Sequence, residues 1–79
     1  MAPRVELLGS LPVGTLAFIV EISGNSASFQ RLRDLGCIPG QAIRVLRAGS
    51  VKLIAFGGAK YAVRAIDIDN IQVIRNPVQ

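Results

Sequence analysis

The stretch RLRDLGCIPG, Arg31 to Gly40, limits what this chain can fold into more than any other. It starts with helical spacing and ends with two glycines and a proline in five residues. Upstream, Phe29, Leu32 and Leu35 recur every three residues, which places them on one side of a helix. Gln30, Arg31, Arg33 and Asp34 take the other side, with Arg31 and Asp34 spaced for an i,i+3 pair. Ser26 or Ser28 is positioned to cap the first turn. Gly36 sits where a left-handed residue stops a helix. Pro39-Gly40 then fits the centre of a type II turn. A helix of two turns is marginal alone, so its apolar side must dock on something.

What it docks on is a set of short strands. Leu11-Pro12-Val13-Gly14 reads as a lead-in turn to TLAFIVEI, in which Leu16, Phe18, Val20 and Ile22 form the expected core face. SGNSAS, Ser23 to Ser28, is loop by composition. QAIRVLR places Ile43 and Val45 on one face and Arg44 and Leu46 on the other. After the tight connection Ala48 to Ser50, VKLIAF returns, with Val51, Leu53 and Ala55 opposite Lys52, Ile54 and Phe56. Gly57-Gly58 suits a primed hairpin turn or a bulge. KYAVR is a fourth strand, with Tyr61 and Val63 together. AIDIDN reads as a bend or one 3₁₀ turn, IQVI as a fifth strand, and RNPVQ as a frayed tail.

These elements predict a mainly β fold: one domain over residues 1–79, its core at about 8–74, with flexible ends. Five short strands joined by glycine turns predict a small β-barrel, with the single short helix plugging one open end. Closure would hide the sheet edges that a chain of 79 residues has little else to cover. Ile19, Leu46, Ile54 and Phe56 fall on the outer faces, where they would form a patch for weak self-association or pack under the helix or the N-terminal segment.

Several chemistries lack their residues. The chain has no His, one Cys and one Met, so a Ser-His or Cys-His nucleophile is unavailable. No acid–base pair stands out, and Gly57-Gly58 lacks the Lys-Ser or Lys-Thr of a phosphate loop. An enzyme is not expected, and no cofactor is implied. Asp67-x-Asp69-Asn70 lacks the glycine and distant glutamate of an EF-hand loop, so both aspartates read as turn or capping residues and no tight intrinsic iron or zinc site is expected. The lone Cys37 excludes an intramolecular disulfide and reads as a small buried hydrophobe. No run of about 20 apolar residues predicts a membrane span, and the N-terminal MAPRVELLGS does not read as a signal peptide.

Binding surfaces remain. Nine Lys and Arg against five Asp and Glu give a net charge of +4. Arg31 and Arg33 on the helix, with Arg44, Arg47, Lys60 and Arg64 on strands, are the candidate contacts for an acidic partner. A nucleic acid would use the same cations with aromatic platforms. Phe18 and Phe29 lie on predicted core faces, which leaves Phe56 and Tyr61 and disfavours that reading.

The segment RLRDLGCIPGQAIRVLR resembles the signature of the FeoA family: a helix ending in Leu35-Gly36, two apolar residues, Pro39-Gly40, then an alternating strand from Ile43 to Arg47. LGSLPVGTLAFIVEISG is similar to the family's first strand, and Gly58 stands six residues before Arg64 as in the family's fourth. The resemblance covers about residues 8 to 74. Two features depart from it: the hairpin RAGSVK is short, and Arg64 is followed by Ala65 and Ile66 where the family often has a basic pair. The resemblance implies an SH3-like barrel. It also implies a cytoplasmic accessory protein of ferrous iron uptake that binds and modulates a membrane-bound iron permease of the FeoB type. The alternative is a small-barrel nucleic-acid binder or a DtxR-like regulatory domain, since a similar barrel ends those repressors.

Overall fold

The computed structural model describes residues 4–22 and 27–75. Strand β1 (Glu6–Leu7) leads into a 3₁₀ turn (Leu8–Ser10), then β2 (Leu16–Glu21), helix α1 (Ala27–Asp34), β3 (Ala42–Arg47), β4 (Val51–Phe56), β5 (Ala59–Arg64), helix α2 (Ala65–Ile68) and β6 (Gln72–Ile74). The described strands form one antiparallel sheet in the order β1-β6-β2-β3-β4-β5. It is an SH3-like fold, but its ladder does not close, so β1 and β5 remain edges where a barrel is expected. The sequence shows five of the six strands; β1 has two residues and too short a pattern to read.

The strand residues alternate as predicted, but β2 and β4 both turn inward the face that is expected outward. Ile43 and Val45 of β3 are buried, as are Lys52, Ile54 and Phe56 of β4. In β2 the buried residues are Ala17 and Ile19, while Leu16 and Val20 are exposed and Phe18 is half-buried. Pairing decides this. Ala17 lies opposite Ile43 and Ile19 opposite Val73, and directly opposed residues share a face. Both faces of β2 are apolar, so alternation alone does not say which one turns inward. A register shift between Ile19 and Glu21 then reverses the phase, and Ile22 packs back against the core. Ile19, Ile54 and Phe56 are therefore core residues, not parts of a self-association patch, and Leu46 is half-buried.

The helix-stop-turn unit forms with the expected chemistry. Gly36 has φ +113°, its N–H donates to Arg33 O at 3.0 Å, and the Cys37 N–H donates to Leu32 O at 3.0 Å. This is a Schellman ending, and the apolar pair that accompanies it is Leu32 with Cys37, both buried. Cys37 thus fills the place expected of Leu35, which is 47% exposed. The turn over Pro39-Gly40 closes with Gln41 N–H donating to Ile38 O at 3.0 Å, with Gly40 at φ +91°. Gly40 N–H also donates to Ile19 O at 2.7 Å, which fastens the unit to β2. Ser28 lies inside α1 and does not cap it, while Ser26 and the C-terminal residues 76–79 lie outside the described residues. The Arg31–Asp34 pair is absent from the ion pairs of the described residues. AIDIDN contains one turn of α-helix, where a bend or 3₁₀ turn is expected.

Lys52 occupies an inward position of β4 and is the charged residue of the core. Its Nζ donates to Asp69 Oδ1 at 2.7 Å; the lysine side chain is 9% exposed and the aspartate 41%. The backbone on either side of Asp69 is tied down as well, because Gly9 N–H donates to Asp69 O and Leu8 N–H to Ile71 O. Asp69→Ala should cost about 2–3 kcal/mol by leaving a buried ammonium unpaired, whereas Lys52→Met should change stability by less than about 1 kcal/mol. Urea unfolding of the two variants checks this difference. Burial pushes the Cys37 thiol from 9.0 up to about 11. A thiol raised on folding holds its proton more tightly in the native state. Its contribution is therefore whole below pH 9 and lost as pH rises toward 11. Unfolding curves at pH 7 and pH 11 should show Cys37→Ala losing less stability over that interval than the parent, by on the order of 2 kcal/mol.

Candidate binding surface

Arg31 of α1 and the β5 residues Lys60 and Arg64 come from two separated parts of the sequence and meet along one groove of about 520 Å³. One wall is α1, through Ala27, Ser28, Arg31 and Leu32, with Leu35 just past its end. The other is β5 from Lys60 to Arg64, followed by Asp67 of α2. Arg31 and Leu35, expected on opposite sides of the helix, are one turn apart and both line the groove. Strand alternation turns Tyr61 and Val63 toward the core and Lys60, Ala62 and Arg64 outward. The groove therefore mixes apolar side chains such as Leu32, Leu35 and Val63 with the charged Arg31, Lys60, Arg64 and Asp67.

Its charges are not equivalent. Arg64 Nε donates to Asp67 Oδ2 at 3.0 Å and its Nη2 to Asp67 Oδ1 at 3.4 Å, a two-pronged contact between the strand end and α2. Arg31 and Lys60 are exposed and have no part in the ion pairs of the described residues, so both are available to an incoming anion. The other candidates are exposed but lie elsewhere. Arg44 lines a more open hollow of about 380 Å³ with Leu16, Ala42, Phe56 and Lys60. Arg33 and Arg47 line neither depression.

Both aspartates read from sequence as turn or capping residues are ion-pair partners instead, Asp67 to Arg64 and Asp69 to Lys52. The sequence carries a usable signal for the second pair: Lys52 alternates with Ile54 and Phe56, and a lysine on an inward face demands an acid nearby. The Glu6–Arg75 pair, with Arg75 Nε at 2.9 Å from Glu6 Oε2, joins residues too far apart in the chain for local pattern to reveal. Among the described residues no three His, Cys, Asp or Glu side chains gather as metal ligands, and no helix is long and apolar enough to cross a membrane. Cys37 is fully buried, in keeping with its reading as a core hydrophobe. The aromatic rings give no open platform: Phe29 and Phe56 are buried, Phe18 is half-buried, and Tyr61 stacks on Phe56 at 4.7 Å between centroids.

Comparison with known proteins identifies the domain. The family model for the FeoA domain matches residues 7–75. No curated protein matches the chain. Among solved structures, the FeoA protein of Chlorobium tepidum aligns with a TM-score of 0.81 at 26% identity, covering 89% of this chain and 70% of that one. The FeoA of Stenotrophomonas maltophilia, a prokaryotic SH3 domain protein solved in complex with zinc, aligns at 0.70 and 28% identity, covering 86% of this chain and 88% of that one. IdeR of T. acidophilum aligns at 0.79 but 19% identity, with 96% of this chain matching 37% of that one, which shows a shared fold. With residues 7–75 matching the FeoA domain and the whole fold aligning with FeoA proteins, the chain belongs to the FeoA family, which is implicated in ferrous iron transport.

Proposed function

We propose that this protein is an accessory component of bacterial ferrous iron uptake that binds a membrane-bound iron permease of the FeoB type on its cytosolic side and modulates it. The observation that carries this reading is the family match across residues 7–75. An accessory domain acts on a transporter through binding energy. It shifts the partner's states only by as much as it binds one of them better than another. The cations of the groove suit that task, because surface charge speeds encounter and fixes orientation. Arg31 and Lys60 are the groove cations free to meet acidic groups, while Arg64 contributes through its pair with Asp67. Arg33, Arg44 and Arg47 are proposed as secondary, peripheral contacts.

The nucleic-acid reading loses its physical basis in the placement of the rings. Single strands are held by bases stacked on exposed aromatics, and here the rings are spent on the core and on each other. Repressor-like regulation shares only the fold.

Affinity capture of the tagged protein with detergent-solubilised membranes from its source should retain an iron permease. Reversing Arg31 and Lys60 together to Glu should reduce its recovery about tenfold, as expected for two lost charge contacts replaced by repulsion. Reversing Arg33 and Arg47 should reduce it less. Retention of nucleic acid or a transcription regulator in place of a permease would overturn the proposal.

A further inference from the structure

We propose that the open edge of β5 is a strand-addition site for an extended acidic segment of a partner protein. The inference rests on the backbone of β5 and stands apart from the identity of any transporter.

The phase of the ladder fixes which backbone groups are free. In an antiparallel pair, residues alternate between those that exchange hydrogen bonds with the neighbouring strand and those whose N–H and C=O point away. Tyr61 lies opposite Ile54 and Val63 opposite Lys52. One step past the strand, the Ala65 N–H donates to Ser50 O at 2.8 Å. Ala65 is thus a bonded position, and so are Val63, Tyr61 and Ala59 by alternation. Gly57 and Gly58, at φ +60° and +82°, form a two-residue turn of the primed type, which demands the same phase at Phe56 and Ala59. Lys60, Ala62 and Arg64 therefore aim their backbone N–H groups away from β4. Their side chains are also the exposed ones of the strand.

Beyond that edge lies the groove, with α1 as its far wall. A strand added at the usual spacing of about 4.8 Å enters this space. Its residues opposite Tyr61 and Val63 would turn toward Leu32 and Leu35, so apolar side chains fit there. Its residues opposite Lys60 and Arg64 would turn outward beside those cations, with Arg31 lining the groove, so acidic side chains fit there.

A second copy of this chain suits the edge poorly. Antiparallel pairing of two β5 strands about Ala62 puts Lys60 of one copy opposite Arg64 of the other, twice over, and like charges directly opposed are destabilising. The residues that guard the edge against self-pairing are the same ones that admit an acidic strand.

The test uses the purified, nitrogen-15-labelled protein and a synthetic peptide, Glu-Val-Glu-Val-Glu-Val-Glu. On saturation, amide exchange should slow at Lys60, Ala62 and Arg64 and stay unchanged at Tyr61 and Val63, an alternation that charge attraction alone does not produce. Lys60→Glu should weaken binding about fivefold, the size of one lost cross-strand charge pair. The counterpart Lys-Val-Lys-Val-Lys-Val-Lys should not bind. Absence of saturable binding at millimolar peptide, or binding without alternating protection, would overturn the proposal. So would protection of the same amides by protein concentration alone, which would make the edge a self-pairing surface. Failure here with the permease still captured places the transporter contact elsewhere; success here without capture assigns the edge to a different partner.

Discussion

The position of β6 between β1 and β2 is the constraint on which the rest of the structure depends. It joins the two ends of the described chain, because β1 and β2 would otherwise present unpaired backbone toward each other. Val73 pairs with Glu6 on one side and Ile19 on the other. Around it, the Leu8–Ile71 and Gly9–Asp69 backbone bonds and the Glu6–Arg75 ion pair fasten the same seam. Closing so long a loop is entropically costly, and the buried Leu8, Ile68, Ile71 and Val73 supply the compensating apolar contact. The seam also sets which face of β2 turns inward, since Ile19 must share a face with Val73.

The Lys52–Asp69 pair works at the same seam from the other half of the sheet. Lys52 comes from β4, and Asp69 follows α2 on the way to β6. A buried ammonium tolerates few positions for its carboxylate, so the pair specifies where α2 ends. Gly9 fits against this point because a Cβ there would come within 2.7 Å of the Asp69 side chain. The geometry leaves the outer edge of β5 uncovered while α1 stands across from it, which creates the groove.

Much of this was legible in local pattern. Gly36, Pro39 and Gly40 are placed by backbone rules that act within a few residues, and the Schellman ending and type II turn form as those rules require. The face of β3 was readable because Arg44 and the Ile43–Val45 pair differ sharply in polarity, whereas the buried face of β4 was not, because Lys52 alternates with Ile54 and Phe56 and both sides of that strand carry apolar residues. The family resemblance carried by Leu35-Gly36 and Pro39-Gly40 agrees with the domain match over residues 7–75. The face of β2, the two-residue β1 and the open sheet were not readable. Each depends on a partner strand distant in sequence, and the alternation of Leu16 to Ile22 is apolar on both sides.

The candidate surface divides in the same way. The sequence alone determined which side chains carry positive charge, that one cysteine without any histidine cannot build a metal or nucleophile site with histidine, and where the helix must stop. Those properties follow from residue type and from contacts a few positions apart. Only the tertiary structure decided that Arg31, Lys60 and Arg64 share a groove while Arg33, Arg44 and Arg47 do not line it, and that Asp67 already holds Arg64. It also decided that the aromatic rings face inward and that β5 is an edge. The physical reason is that the pairing and burial of a surface residue are set by neighbours brought together through strand register and helix docking, and neither is encoded within reach of a local pattern.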